Sequence, residues 1–158
     1  MSLQKPALNP LEVEPVSRTS YPEPYASRVM PREKRRLGDF LGLQKIGINR
    51  TTLPPGKESS MRHWHTHEDE FVYVLEGEVV LRTDTGEQVL TPGSCAGFPA
   101  GVSVGHQLIN RSQKPAVYLE ISNRDAEDTV YYSDPAVDMV HSPPFARGKM
   151  TRRDGTPI

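Results

Sequence analysis

The chain has almost no sulfur chemistry available to it, because Cys95 is its single cysteine among 158 residues. An intrachain disulfide is thereby excluded, as is a cage of thiolates around a metal. Cys95 lies in TPGSCAGFPAG, residues 91–101, where a small buried hydrophobe is expected. Long apolar runs are also missing, and none approaches the roughly 20 residues that span a bilayer. The first ten residues, MSLQKPALNP, lack the apolar core of a signal peptide, which predicts a cytoplasmic protein. There is no basic excess: the formal net charge is -1, which argues against a nucleic-acid partner. Nor does any long window carry the 3.6-residue apolar period of an amphipathic helix.

What is present is proline at the front and short apolar runs behind it. Residues 1–36 hold Pro6, Pro10, Pro15, Pro22, Pro24 and Pro31, which remove backbone donors and predict an extended arm with little regular structure. The arm carries the one basic cluster, Arg28, Arg32, Lys34, Arg35 and Arg36. It reads as a solvated surface segment, with an anion or phosphate contact as the alternative. Residues 37–123 form the expected domain. LGLQKIGINRTTL is strand-like, and FVYVLEGEVVLRTDTGEQVL reads as three strands parted by Glu-Gly and Asp-Thr-Gly turns. VGHQLINRS and PAVYLEIS add two more strands, a spacing that suits a sandwich or barrel. FVYVL is apolar on both faces and is expected to be covered on both sides. Residues 124–158 read as an irregular tail packed on the barrel, in which VYYSD adds a strand or lies against the barrel.

Three of the five histidines fall within five residues, as His63-Trp64-His65-Thr66-His67. On a strand, residues two apart share a face, so His63 and His65 present their imidazoles side by side while Trp64 points away. Imidazole suits zinc, copper, iron and nickel. Glu70 follows five residues after His65 and offers an anionic oxygen, and His106 opens another strand-like run. His67 shares the parity of His63 and His65 and can substitute as a ligand. Glu68 and Asp69 read as solvated turn acids, either of which can stand in for Glu70.

The two stretches read Gly56-x6-His63-x-His65-x4-Glu70-x6-Gly77 and Gly93-x5-Pro99-x-Gly101-x4-His106-x3-Asn110. They resemble the two cupin motifs, G-x5-H-x-H-x(3,4)-E-x6-G and G-x5-P-x-G-x2-H-x3-N, with one extra residue after Gly56 and two before His106. The resemblance covers about residues 40–123 and is to small single-domain bacterial cupins. It implies an all-β fold, a cupin β-barrel or double-stranded β-helix (jelly roll), here with an extended N-terminal arm. It also implies one divalent metal ion, held by His63, His65, Glu70 and His106, and a homodimer.

Zinc, iron, manganese and nickel all remain open as the metal. Four protein ligands fill a tetrahedral zinc site but leave positions free on a five- or six-coordinate ion. The expected function is therefore binding of, or action on, a small organic ligand, sugar-like or carboxylate, at the metal. If the protein is an enzyme, it is a metal-dependent oxygenase or isomerase. The alternative is a non-catalytic binding or sensing cupin with a structural zinc. No helix-turn-helix segment precedes the barrel, and a storage-like role has no positive feature in the chain. Met61, Tyr118, Glu120 and Gln107 are candidate pocket residues.

Overall fold

The computed structural model describes residues 3–142 and 149–158, so residues 143–148 of the expected irregular tail lie outside the described residues. Strands β1 (Glu33–Arg36), β2 (Ile46–Leu53), β9 (Ala116–Asn123), β4 (Glu70–Glu76) and β7 (Cys95–Phe98) make one sheet, in the order β1-β2-β9-β4-β7. The facing sheet has seven strands. Its order is β12-β11-β10-β3-β8-β5-β6, formed by β3 (His63–His65), β5 (Val79–Thr83), β6 (Gly86–Leu90), β8 (His106–Ile109), β10 (Val130–Tyr132), β11 (Val140–Ser142) and β12 (Lys149–Thr151). All the pairings between these strands are antiparallel. The two sheets share no strand, so the jelly roll is a sandwich and not a closed barrel. Among the described residues, helices are limited to single turns, a 3-10 turn at Pro10–Glu12, α1 (Tyr25–Val29) and α2 (Leu37–Leu41), in keeping with the missing helical period.

Inward residues alternate along the strands and meet in the middle. On β4, Val72 and Val74 are buried and pack with Leu53, Leu81, Leu108 and Tyr118. A second cluster, of Val29, Met61, Val130, Tyr132, Val137 and Met139, joins α1 and the C-terminal strands to the sandwich. Asn110 is fully buried and satisfies itself locally. Its Nδ2 donates to the carbonyls of Leu53 and Lys114, both at 2.8 Å, and its Oδ1 accepts from Ser112.

Three expectations are corrected. The arm is more regular than its proline content predicts. A proline removes only its own donor, and the proline-free stretch Glu33–Arg36 pairs with β2 along its whole length. FVYVL is covered on one face only: within the single chain Phe71, Tyr73 and Leu75 are each more than a third exposed. Cys95 is exposed, because it shares the outward parity of Tyr73, its partner in the β4–β7 ladder. VYYSD supplies β10, which pairs with β3 and so reaches the histidines.

Gly77 closes the turn between β4 and β5 at φ 71°, and a Cβ there would stand 2.7 Å from the Pro115 carbonyl oxygen. Both the left-handed backbone and the backbone contact demand glycine. Gly77→Ala is therefore expected to lower unfolding stability by at least about 2 kcal/mol, read as a shift in denaturant midpoint. Gly56→Ala is the comparison, since it shares the positive φ but meets nothing within 4 Å, and it should cost less.

Candidate metal centre

β3 brings His63 and His65 to one face of the seven-stranded sheet, and β8 sets His106 directly opposite His63 in the ladder. Glu70 opens β4 on the other sheet. The four side chains therefore meet across the interior. Glu70 Oε2 lies 2.8 Å from His106 Nε2, 3.3 Å from His65 Nε2 and 3.5 Å from His63 Nε2. The two-residue expansion before His106 is taken up in the irregular segment 102–105, so β8 begins on His106 itself. Of the three imidazoles, His106 is the one closest to the carboxylate.

Each ring is oriented from behind. His65 Nδ1 lies 2.6 Å from Asp128 Oδ2, and Asp128 is wholly buried. The other oxygen of Asp128 accepts from the His67 and Glu68 amides and from the Thr66 hydroxyl. His63 Nδ1 donates to the Met61 carbonyl at 2.9 Å. His106 stacks flat on Phe98, with ring centroids 3.6 Å apart, and its Nδ1 is buried without a partner. In this way Nε2 of every ring is left facing Glu70. A carboxylate or carbonyl holding the remote nitrogen is the usual support of a metal-bound histidine.

The charges are tuned by this packing. Burial works against the Glu70 carboxylate, yet the three surrounding imidazoles hold it well below the usual carboxylate range. Burial likewise opposes charge on His65, but the Asp128 and Glu70 carboxylates override it and raise the imidazole to about 10. His106 goes the other way, pushed down to about 4 chiefly by burial. The anionic Glu70 and the Nε2 atoms converging on it make a donor set that suits a divalent cation.

The remaining candidates separate cleanly. His67 is exposed, with its Nδ1 2.8 Å from the Thr66 hydroxyl, and lies away from the cluster. Trp64 points outward and stacks on Tyr131. Asp69 is exposed, as expected of a turn acid. Glu68 is not: it is only 5% exposed, and burial raises its carboxyl to about 7. The loop that Asp128 gathers is what turns Glu68 inward. Ligand atoms of His65, Glu68 and Asp128 lie within 4.8 Å of one another, as do those of His63, Glu70 and His106.

A cavity of about 600 Å³ opens onto the cluster, with Tyr118 and Glu120 among the residues lining it. Met61 and Gln107 are not among its lining. Met61 fills the second apolar cluster, and Gln107 alternates away from His106, its Nε2 donating to Glu58 and the Ser60 carbonyl. The basic segment is corrected in part: Arg32 and Lys34 are half-buried against the cavity, whereas Arg36 touches it but stays exposed to solvent. Asp128 was invisible in the sequence, standing 63 residues beyond His65 in an ordinary polar stretch.

The chain matches the cupin domain family over residues 49–122. No curated protein matches it. Among solved structures, it is similar to a sugar phosphate isomerase from a cupin superfamily of Silicibacter pomeroyi. Identity is 42% over 97% of this chain and 96% of that one, with a TM-score of 0.89. A putative sugar phosphate isomerase from Acidithiobacillus ferrooxidans is 30% identical over 80% of each chain, with a TM-score of 0.70. A polyketide cyclase from Streptomyces resistomycificus, at 18% identity over 75% of this chain and 79% of that one, shares the fold alone, with a TM-score of 0.62. Its two motifs, its facing antiparallel sheets and this similarity along nearly its whole length together make the chain a member of the cupin superfamily.

Proposed function

We propose that the protein holds one divalent metal ion through His63, His65, Glu70 and His106 and isomerises a small sugar-like substrate beside it. The observation that carries this reading is the convergence of three Nε2 atoms on one Glu70 oxygen at the edge of a cavity large enough for such a molecule. Isomerisation is favoured over oxygenation by the names of the two structures at 42% and 30% identity. When bound, the ion would supply Lewis acidity, polarising a substrate carbonyl or hydroxyl.

The chain's own residues would do the rest. Asp128 fixes the tautomer and direction of His65, and the Met61 carbonyl does so for His63. Glu68 lines the same cavity, and among the described residues it forms no ion pair. Its Oε1 accepts from the Asp125 amide at 3.3 Å, and its carboxylate would take a proton from one substrate carbon and return it to the next. Glu120 is committed to Lys34, at 2.7 Å, and is the poorer base.

Elemental analysis tests the ligand set. His63→Ala and His106→Ala should each abolish metal retention, whereas His67→Ala should keep the full complement; metal at wild-type level in the first two would refute the assignment. Asp128→Asn should keep the fold but weaken metal affinity by about 10- to 100-fold, measured by competition with a chelator.

The reaction is tested by incubating metal-loaded protein with aldose and ketose phosphates and following isomer ratios by NMR. Glu68→Gln should retain metal and lose turnover. A saturated four-ligand zinc site without an exchangeable water would instead leave the non-catalytic binding reading.

A further inference from the structure

Among the described residues, the basic segment of the arm contains one guanidinium with no hydrogen-bonded or ion-paired partner. Arg28 pairs with Glu58 at 2.9 Å, Lys34 with Glu120 at 2.7 Å and Arg36 with Asp39 at 3.7 Å. Arg35 donates to the carbonyls of Leu11 and Val13. Arg32 is different. Among the described residues its guanidinium makes no hydrogen bond and no ion pair, and its Nε is buried without a partner. A second cavity-lining guanidinium, that of Arg18, is likewise unpaired among the described residues. A buried donor left unsatisfied costs free energy that a ligand of the right charge recovers.

Geometry puts this charge inside the cavity and away from the histidines. Lys34 on β1 and Arg32 just before it share one parity, and both are half-buried against the cavity. The main chain of Val16 pairs with that of Lys34 in both directions, at 2.8 and 2.9 Å, which carries the segment from Arg18 to Tyr21 along the cavity wall. β1 and β4 are separated by β2 and β9, a distance of about 14 Å across the sheet. Guanidiniums reaching in from one end and Glu70 from the other leave room for one small molecule between them.

We propose that Arg32 and Arg18 form a subsite for the phosphate monoester end of the substrate, whose other end lies against His63, His65, Glu70 and His106. A phosphate is favoured over a carboxylate because two guanidiniums are unanswered. Together they match a dianion and offer more donors than one carboxylate can accept. Lys34 is neutralised by Glu120, so it sets the floor of the subsite without adding net charge. The inference deepens the proposed function and rests on this cavity being the substrate site.

Calorimetric titration of the full-length protein with inorganic phosphate tests it, in metal-loaded and metal-depleted forms. Phosphate should bind both forms and bind more tightly than acetate. Arg32→Gln and Arg18→Gln should each weaken it at least about tenfold, since each loses charge-assisted bonds. Arg32→Lys should fall between Arg32→Gln and wild type, keeping the charge but not the fork. Arg111→Gln, at an exposed pair with Glu87, should change nothing. His106→Ala should retain phosphate binding, so loss of the metal reading leaves this subsite standing. Unchanged affinity in both arginine-to-glutamine variants overturns the proposal, as does binding that needs metal and disappears in His106→Ala. Acetate binding as tight as phosphate overturns the phosphate assignment. Arg18→Gln keeps the test decisive should Arg32→Gln fail to fold, because Arg18 is exposed at the rim.

Discussion

A carboxylate ringed by three imidazoles is the constraint around which this sandwich is organised. Glu70 comes from the five-stranded sheet and His63, His65 and His106 from the seven-stranded sheet, so their contacts span the interior between the two layers. Buried charge of this kind is expensive and survives only when every partner is held in place. Asp128 supplies much of that restraint. It orients His65 through one oxygen and, through the other, gathers the amides of the loop that leads into Glu70. Removing the Asp128 carboxylate would therefore disturb both a ring and the backbone that delivers the carboxylate. The large rise of His65 and the depression of Glu70 are two sides of this arrangement, each stabilised by the other's charge.

How much of this was legible in the sequence depended on the range of the interaction. His63 and His65 follow from strand parity, and Glu70 from its distance along the chain. His106 was readable despite its displaced spacing because the extra residues fall in 102–105, outside any ladder, where length is absorbed without moving β8. Asp128 left no local signal, since its meaning arises only when β10 docks beside β3. Glu68 departs from its expected exposure for a related reason: a carboxylate in a polar turn looks solvated until the Asp128 hydrogen bonds turn that loop inward. Cys95 shows the opposite error, in which small size suggested burial while strand parity placed it outside.

The arm shows how a weak local pattern acquires meaning from its partner. Proline density argues for an irregular segment, and up to Pro31 the described chain forms single helical turns and one bridge, from Val16 to Lys34. Past it, Glu33–Arg36 aligns with β2 on one edge while the Lys34 amide donates to the Val16 carbonyl on the other, and the backbone becomes a strand. Once paired, its alternation divides the basic residues into two sets with different work. Arg35 turns to the carbonyls of Leu11 and Val13, whereas Arg32 and Lys34 turn toward the cavity. The clustering of positive charge in the sequence therefore did not mean a solvated face.

The two ends of the cavity consequently differ in kind. At the histidine end the carboxylate Glu70 is surrounded by donors that can share a cation, and positive charge is welcome there. At the arm end the carboxylate Glu120 is already taken by Lys34, so the excess is of guanidinium and negative charge is welcome. Between them stand Tyr118 and Val72, buried and without charge. A molecule with a polarisable oxygen at one end and an anion at the other would satisfy both ends at once, and the reversed orientation would set its anion near Glu68 and Glu70 and leave Arg32 unanswered. Such asymmetry fixes direction as well as affinity, because the wrong pose is penalised twice. Under the proposed isomerisation, direction is what the proton transfer would require, since Glu68 as base would serve only the substrate carbon brought within reach of it.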